Sequence, residues 1–171
     1  MENISSDFIK SRINNNISVQ EALISESSNI LTVSEIISNC FEEGGKIILF
    51  GNGGSAADSQ HIAAELSGKF YNSERPGLAA ISLNTNVSSL TAVANDFSYD
   101  EIFSRQLEGL LHSKDIVVGI STSGNSINVF NGLKKAKEIG AVTVSFTGHS
   151  SGKLDTVSDF CLCIPSKDTP R

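Results

Sequence analysis

Apolar residues in the first quarter of the chain recur at helical spacing, and no proline interrupts them. Ile13, Ile17, Ile24 and Leu31 form one such series. Val33, Ile36, Ile37, Cys40 and Phe41 fit i, i+3, i+4, i+7, i+8. This pattern predicts one or two amphipathic helices over 1–44, with a break near 25–29 and a stop at Gly44-Gly45. Their apolar stripes must be covered by the rest of the domain or by a second subunit. From residue 46 the rhythm shortens. Apolar strands are predicted at 46–50, 78–83, 115–120, 141–146 and 160–164, with helices over 56–70, 87–94, 99–111 and 125–139. Strands separated by helices need crossover connections, so the sheet is mostly parallel and covered on both faces. The expected fold is α/β: a doubly wound five-stranded sheet in one domain over 1–171, with 1–44 as an N-terminal helical layer.

Composition narrows the partners. The 171 residues carry 13 Lys+Arg against 19 Asp+Glu, a net charge of −6, which argues against nucleic acid because that partner needs a basic face. At 39% hydrophobic and 19% charged the chain has enough apolar residues for a core. No apolar run approaches the roughly 20 residues of a membrane span, and Met1-Glu2-Asn3-Ile4 lacks the start of a signal peptide. No membrane partner and a cytoplasmic location are expected. Three cysteines, Cys40, Cys161 and Cys163, are too few for a disulfide framework. They read as buried, reduced thiols, with metal binding at the C-x-C pair the lesser alternative.

Two strand-to-helix loops carry the chemistry. Ser121-Thr122-Ser123-Gly124-Asn125-Ser126 places four hydroxyls at a helix N-terminus. Free N–H groups and the positive end of the helix dipole favour a phosphate there, and Gly124 lets the backbone approach closely. A single Ser would suffice as an N-cap; four exceed that need. Gly51-Asn52-Gly53-Gly54-Ser55 also joins a strand to a helix. It lacks the Lys-Ser/Thr of a P-loop and the spacing of a dinucleotide fingerprint. Paired with the hydroxyl loop, it suits a small phosphorylated molecule, with Asn52 and Ser55 as hydrogen-bonding groups. Both loops fall where open α/β sheets bind ligands.

Further along, His61 and Glu65 stand at i, i+4 on one helical face. They suit two metal ligands, a proton-transfer site, or an exposed pair, and spacing alone leaves these open; a zinc site wants at least three protein ligands. Asn95-Asp96 could hold sugar hydroxyls or cap the next segment. Lys69 suits a phosphate partner or a surface lysine. His112 and His149 read as solvated.

Taken together, Gly51-Asn52-Gly53-Gly54-Ser55-Ala56, His61 with Glu65, Glu74-Arg75-Pro76-Gly77, Ala94-Asn95-Asp96, the 121–126 loop and Thr169-Pro170-Arg171 resemble the sugar isomerase (SIS) domain superfamily, specifically the phosphoheptose isomerases. The resemblance covers nearly the whole chain. It implies a flavodoxin-like SIS fold, a homotetramer, and isomerisation of sedoheptulose 7-phosphate to D-glycero-D-manno-heptose 7-phosphate for surface polysaccharides. It further implies phosphate binding by Ser121, Thr122, Ser123 and Ser126 with Ser55, and sugar binding by Asn52, Gly53, Gly54, Asn95 and Asp96. It assigns zinc (Zn2+) to His61 and Glu65, with Glu65 also a catalytic acid/base that contacts substrate. Members continue after Thr-Pro-Arg into a C-terminal helix bearing a Gln and a His that complete the zinc site. This chain ends at Arg171 with two of the four ligands and has Lys69 where some members have Arg. A non-catalytic SIS protein, similar to the replication-initiator-associating factors, is the alternative.

Overall fold

The computed structural model describes residues 5–168; Met1-Glu2-Asn3-Ile4 and Thr169-Pro170-Arg171 lie outside them. Helix α1 (Ser6–Ala22) begins where the Ser5 hydroxyl accepts the Phe8 N–H at 3.2 Å. A 3-10 turn, Leu23–Glu26, leads into α2 (Ser27–Glu42), so the expected break near 25–29 is present. Helix α2 ends in a Schellman motif. Gly44 adopts φ +71°, Gly45 N–H reaches Cys40 O at 2.8 Å, and Gly44 N–H reaches Phe41 O at 3.0 Å. A Gly44→Ala change therefore costs about 1 kcal/mol in a chemical denaturation curve.

The strands are β1 (Ile47–Gly51), β2 (Ala80–Ser82), β3 (Ile116–Ser121), β4 (Val142–Thr147) and β5 (Phe160–Cys163). They pair in parallel in the order β2-β1-β3-β4-β5, the doubly wound flavodoxin-like order. β1 and β3 are buried along their whole length because helices cover both faces, which is why they read as unbroken apolar runs. On one face, α2 and α3 (Gly54–Ser67) cover Ile47, Leu49, Ile116 and Val118. On the other, α4 (Val87–Asp96), α5 (Ser104–Leu110) and α6 (Ile127–Ile139) cover Ile48, Phe50 and Val117. Phe50 stacks on Phe103 at 4.6 Å between centroids. Gly132 of α6 is required beside it, since a Cβ there would lie 2.7 Å from the Phe50 ring. That close approach seats the middle of α6 against the end of β1.

Two expectations change and one open alternative narrows. The helix expected over 99–111 is split into a 3-10 turn, Tyr99–Glu101, and α5. Ser98 is extended, Ile102 and Phe103 turn into the core, and the Ser104 hydroxyl bonds back to the Glu101 carbonyl and carboxylate. The stripe Ile13, Ile17, Ile24 and Leu31 is not covered by the described residues, which leaves the second-subunit alternative; all four are at least half exposed, and α1 buries no residue. Cys40 is buried as expected, whereas Cys161 and Cys163 are half-buried because β5 is an edge strand. Their sulfurs lie 3.5 Å apart, with Thr147 Oγ1 3.5 and 3.2 Å from them. Among the described residues no helix is long and apolar enough to cross a membrane.

Candidate active site

The sheet order reverses between β1 and β3, and both chemistry-bearing loops leave the carboxyl ends of these two strands. A crevice at that switch point is where this architecture receives ligands. The glycine loop rests on a polar brace that the sequence did not reveal. Asn84 accepts the Gly51 N–H at 3.2 Å and donates to Gly51 O at 3.0 Å. Buried Ser59 joins Asn84 Oδ1 at 3.1 Å and the Ser82 hydroxyl at 2.7 Å. Beyond this brace, Gly53 adopts φ +56° and its carbonyl accepts the N–H groups of Ala56 and Ala57, which opens α3. Gly53 and Gly54 are exposed and a Cβ on either would meet nothing within 4 Å. Gly53 thus serves the backbone angle, and the first turn of α3 at Gly53-Gly54 faces open space.

Asn52 is more committed than expected. Its amide exchanges two hydrogen bonds with Asn128 at 2.8 and 2.9 Å, and its Oδ1 also accepts the Tyr99 hydroxyl at 3.0 Å. An asparagine amide has two N–H donors and an oxygen with two lone pairs, so one N–H remains for a ligand. Asn128 and Tyr99 were missed because their roles depend on α6 and the 3-10 turn meeting β1.

The hydroxyl loop is compact. Ser121 Oγ lies 2.9 Å from Ser126 Oγ and 3.4 Å from Ser123 Oγ, and Gly124 N–H closes a turn onto Ser121 O at 2.9 Å. Ser126 stands at the N-cap of α6 but makes no side-chain cap bond, so its hydroxyl is not used to end the helix. Gly124, at φ +65°, lies against Ser151; a Cβ would sit 2.2 Å from the Ser151 carbonyl. Gly124→Ala is expected to move the loop, costing about 1–3 kcal/mol of stability and raising KM for a phosphorylated substrate. Thermal melts and steady-state kinetics on the variant check both effects.

Helix α3 lines a cavity of about 910 Å³ with Ser55, Asp58, His61 and Glu65, and Thr122 of the hydroxyl loop joins the same wall. Asp58 was missed, although it falls three residues before His61 and seven before Glu65, on the same helical stripe. His61 Nε2 and Glu65 Oε1 are 3.5 Å apart, with side chains 74% and 40% exposed. That distance exceeds a good hydrogen bond, so the pair is open toward a third partner. Among the described residues no three His, Cys, Asp or Glu side chains gather as a metal group. The two donors of α3 fall short of the three protein ligands that zinc takes, so the described residues of one chain do not fit a complete zinc site. Lys69 is exposed just beyond α3. Asn95 and Asp96 end α4, are exposed, and bond to each other at 2.8 Å. Instead Tyr99, a few residues on, carries that segment to the glycine loop.

A family model of the SIS domain matches residues 13–148. The probable phosphoheptose isomerase of Thermoplasma acidophilum is 56% identical over 80% of this chain and 75% of its own length. The phosphoheptose isomerase of Aneurinibacillus thermoaerophilus is 44% identical over 96% of this chain and 84% of its own. The structure of phosphoheptose isomerase GmhA from Neisseria gonorrhoeae superposes with a TM-score of 0.89 at 37% identity, covering 96% of this chain and 88% of that one. Fold order, loop pair and sequence agree: the chain belongs to the phosphoheptose isomerases, a family of SIS-domain enzymes.

Proposed function

We propose that the chain, as one SIS domain over 1–171 with 1–44 as its helical layer, interconverts sedoheptulose 7-phosphate and D-glycero-D-manno-heptose 7-phosphate. The observation that supports this reading is that Thr122 of the hydroxyl loop and the Ser55, His61 and Glu65 stripe of α3 line one cavity, while the two loops leave the carboxyl ends of adjacent strands β3 and β1. The phosphate binds at Ser121, Thr122, Ser123 and Ser126, with Ser55, against the N-terminus of α6. Gly53, Gly54, the remaining Asn52 N–H, Asn95 and Asp96 hold sugar hydroxyls. With the phosphate fixed, C1 and C2 are held in register beside Glu65.

Glu65 then removes a proton from C1 of the ketose, and the electron pair moves to give an enediol(ate). Return of the proton to C2, with transfer of the hydroxyl proton from O1 to O2, yields the aldose. No atom is gained or lost, so no redox partner is needed. His61 stands beside Glu65 on the same face of α3, its Nε2 3.5 Å from the carboxylate. Zinc enters no step here, because the described residues supply two donors only.

A cytoplasmic sugar-phosphate pool and the heptose of surface polysaccharides are the setting this substrate implies. Assembly as a homotetramer is supported by α1, whose Ile9, Ile13 and Ile17 form a half-exposed stripe. Light scattering on the purified protein is expected to give four times the chain mass.

The test of the reaction is to incubate the purified protein with sedoheptulose 7-phosphate, with and without added zinc, and follow the aldose by NMR. Aldose formation is expected. No turnover in either condition would replace the enzyme by a binding protein.

A further inference from the structure

The C-terminus of α3 is finished differently from those of α2 and α6. Helix α2 closes on Gly44 at φ +71° and α6 on Gly140 at φ +92°, each in the left-handed conformation that folds the chain back onto the last carbonyls. At the end of α3, Gly68 adopts φ −88°, ψ −133°, and its N–H pairs only with Ala64 O. A helix leaves four terminal carbonyls without partners of its own. Those of Glu65 and Leu66, in the turn that presents the Glu65 side chain, must be satisfied from elsewhere.

Arg75 satisfies them. Its Nη2 donates to Glu65 O at 3.0 Å and Gly68 O at 3.2 Å, and its Nη1 donates to Leu66 O and Pro76 O, both at 2.9 Å. The four Nη hydrogens therefore meet four carbonyls, so the outer fork of the guanidinium is spent on the backbone, with only the Nε–H outside it. The following segment presses on the same turn. Leu78 N–H reaches Leu66 O at 3.0 Å, and a Cβ on Gly77 would lie 2.6 Å from Ser67 O. The positive guanidinium also suits the negative end of the helix dipole. A lysine could not reproduce this planar fork.

We infer that Arg75 is a positioning residue for Glu65: it clamps the last turn of α3 and so fixes where the carboxylate stands relative to the substrate carbons. The inference rests on the proposed role of Glu65 in proton transfer. Displacement by about 1 Å at a reacting group can cost on the order of 100-fold, whereas the phosphate cradle lies on β3 and the start of α6, with Ser55 at the end of α3 away from the clamp, and keeps its own hydrogen bonds. Arg75→Ala is thus expected to lower kcat by about 10–100-fold with KM within about threefold.

The decisive measurement is a double-mutant cycle. Arg75→Ala in a Glu65→Gln background is expected to cost nothing further in kcat, because the group being positioned no longer transfers protons. Arg75→Lys is expected to recover only part of the rate. A loss that is fully additive with Glu65→Gln, or a wild-type kcat in Arg75→Ala, overturns the inference. Should Arg75→Ala fail to fold, Arg75→Gln, with the folded fraction measured by thermal melt, takes its place in the cycle. The two readings fail separately. A wild-type chain without turnover overturns the reaction, and a wild-type rate in Glu65→Gln overturns the role of that carboxylate. In either case amide hydrogen exchange still reads the clamp itself. Exchange at 64–68 is expected to rise at least tenfold in Arg75→Ala while exchange at 127–133 is unchanged, and equal exchange at 64–68 removes the clamp.

Discussion

Glu65→Gln is expected to lower kcat by about 10²–10⁴-fold while leaving KM nearly unchanged. Glutamine keeps the size of the side chain and an oxygen acceptor beside His61, but it cannot accept a proton from carbon at neutral pH. Substrate affinity should survive because the phosphate cradle belongs to β3 and the start of α6, with Ser55 at the opposite end of α3 from Glu65, and its Ser121–Ser126 contact does not involve α3. A second readout separates lost chemistry from lost geometry: exchange of the C1 hydrogen into deuterated water should fall in parallel with kcat. Asp58 gives the contrast. It shares the cavity wall, so if it were the base, Asp58→Asn would abolish exchange and Glu65→Gln would turn over at the wild-type rate.

The largest expected effect on stability lies at the other end of the same two strands. Asp115, with a side chain 1% exposed, accepts the Lys46 N–H at 3.1 Å, the Lys46 ammonium at 2.5 Å and the His112 N–H at 2.8 Å. It joins the starts of β1 and β3. Replacing it by alanine strands two backbone donors and a mostly buried ammonium. Removing one partner of such a pair costs about 3–5 kcal/mol, which for a chain of this size lowers Tm by about 6–20 °C. Calorimetry on Asp115→Ala checks this. Burial raises the Asp115 pKa, but the hydrogen bonds from Lys46 and His112 outweigh it and hold the carboxyl below its ordinary value of 3.8. A lowered native pKa means the unfolded chain binds the proton first. The stabilisation is therefore complete well above pH 4 and is lost as pH falls through the depressed native value. Asp115→Asn should flatten the acid side of a stability–pH curve. Some slope remains, because Asp159 is also held low: burial raises it, and bonds from Thr143 and Lys137 outweigh that.

Local pattern carried much of the architecture. The apolar runs of β1 and β3, the Gly44-Gly45 stop and the stripe of α2 each follow from spacing and side-chain type, and the order of strands and helices follows from them. The two loops were legible because their unusual composition is continuous in the chain. What stayed hidden depends on meetings between distant segments. Asn84 bracing Gly51, and Asn128 with Tyr99 holding Asn52, involve partners 33, 76 and 47 residues away, and an isolated Asn or Tyr carries no mark of such a role. Arg75 looked like a motif residue, yet its partners are carbonyls, which no sequence distinguishes. The split between Tyr99 and Ser104 was invisible because the helical period continues through Ile102 and Phe103 while tertiary packing pulls those two inward.

The parallel ladder also sets when a ligand site can first exist. The β4–β5 pairing joins residues 16 apart, such as Val144 and Phe160, but the β1–β3 pairing joins residues 69 apart, such as Ile47 and Ile116. Closing the longer loop costs more chain entropy, and non-local pairings slow folding. Because the glycine and hydroxyl loops hang from β1 and β3, they face each other only once that longest-range pairing has formed. During refolding, capture of a sugar phosphate should therefore lag behind the appearance of helical signal, and binding competence becomes a clock for the last step of sheet assembly.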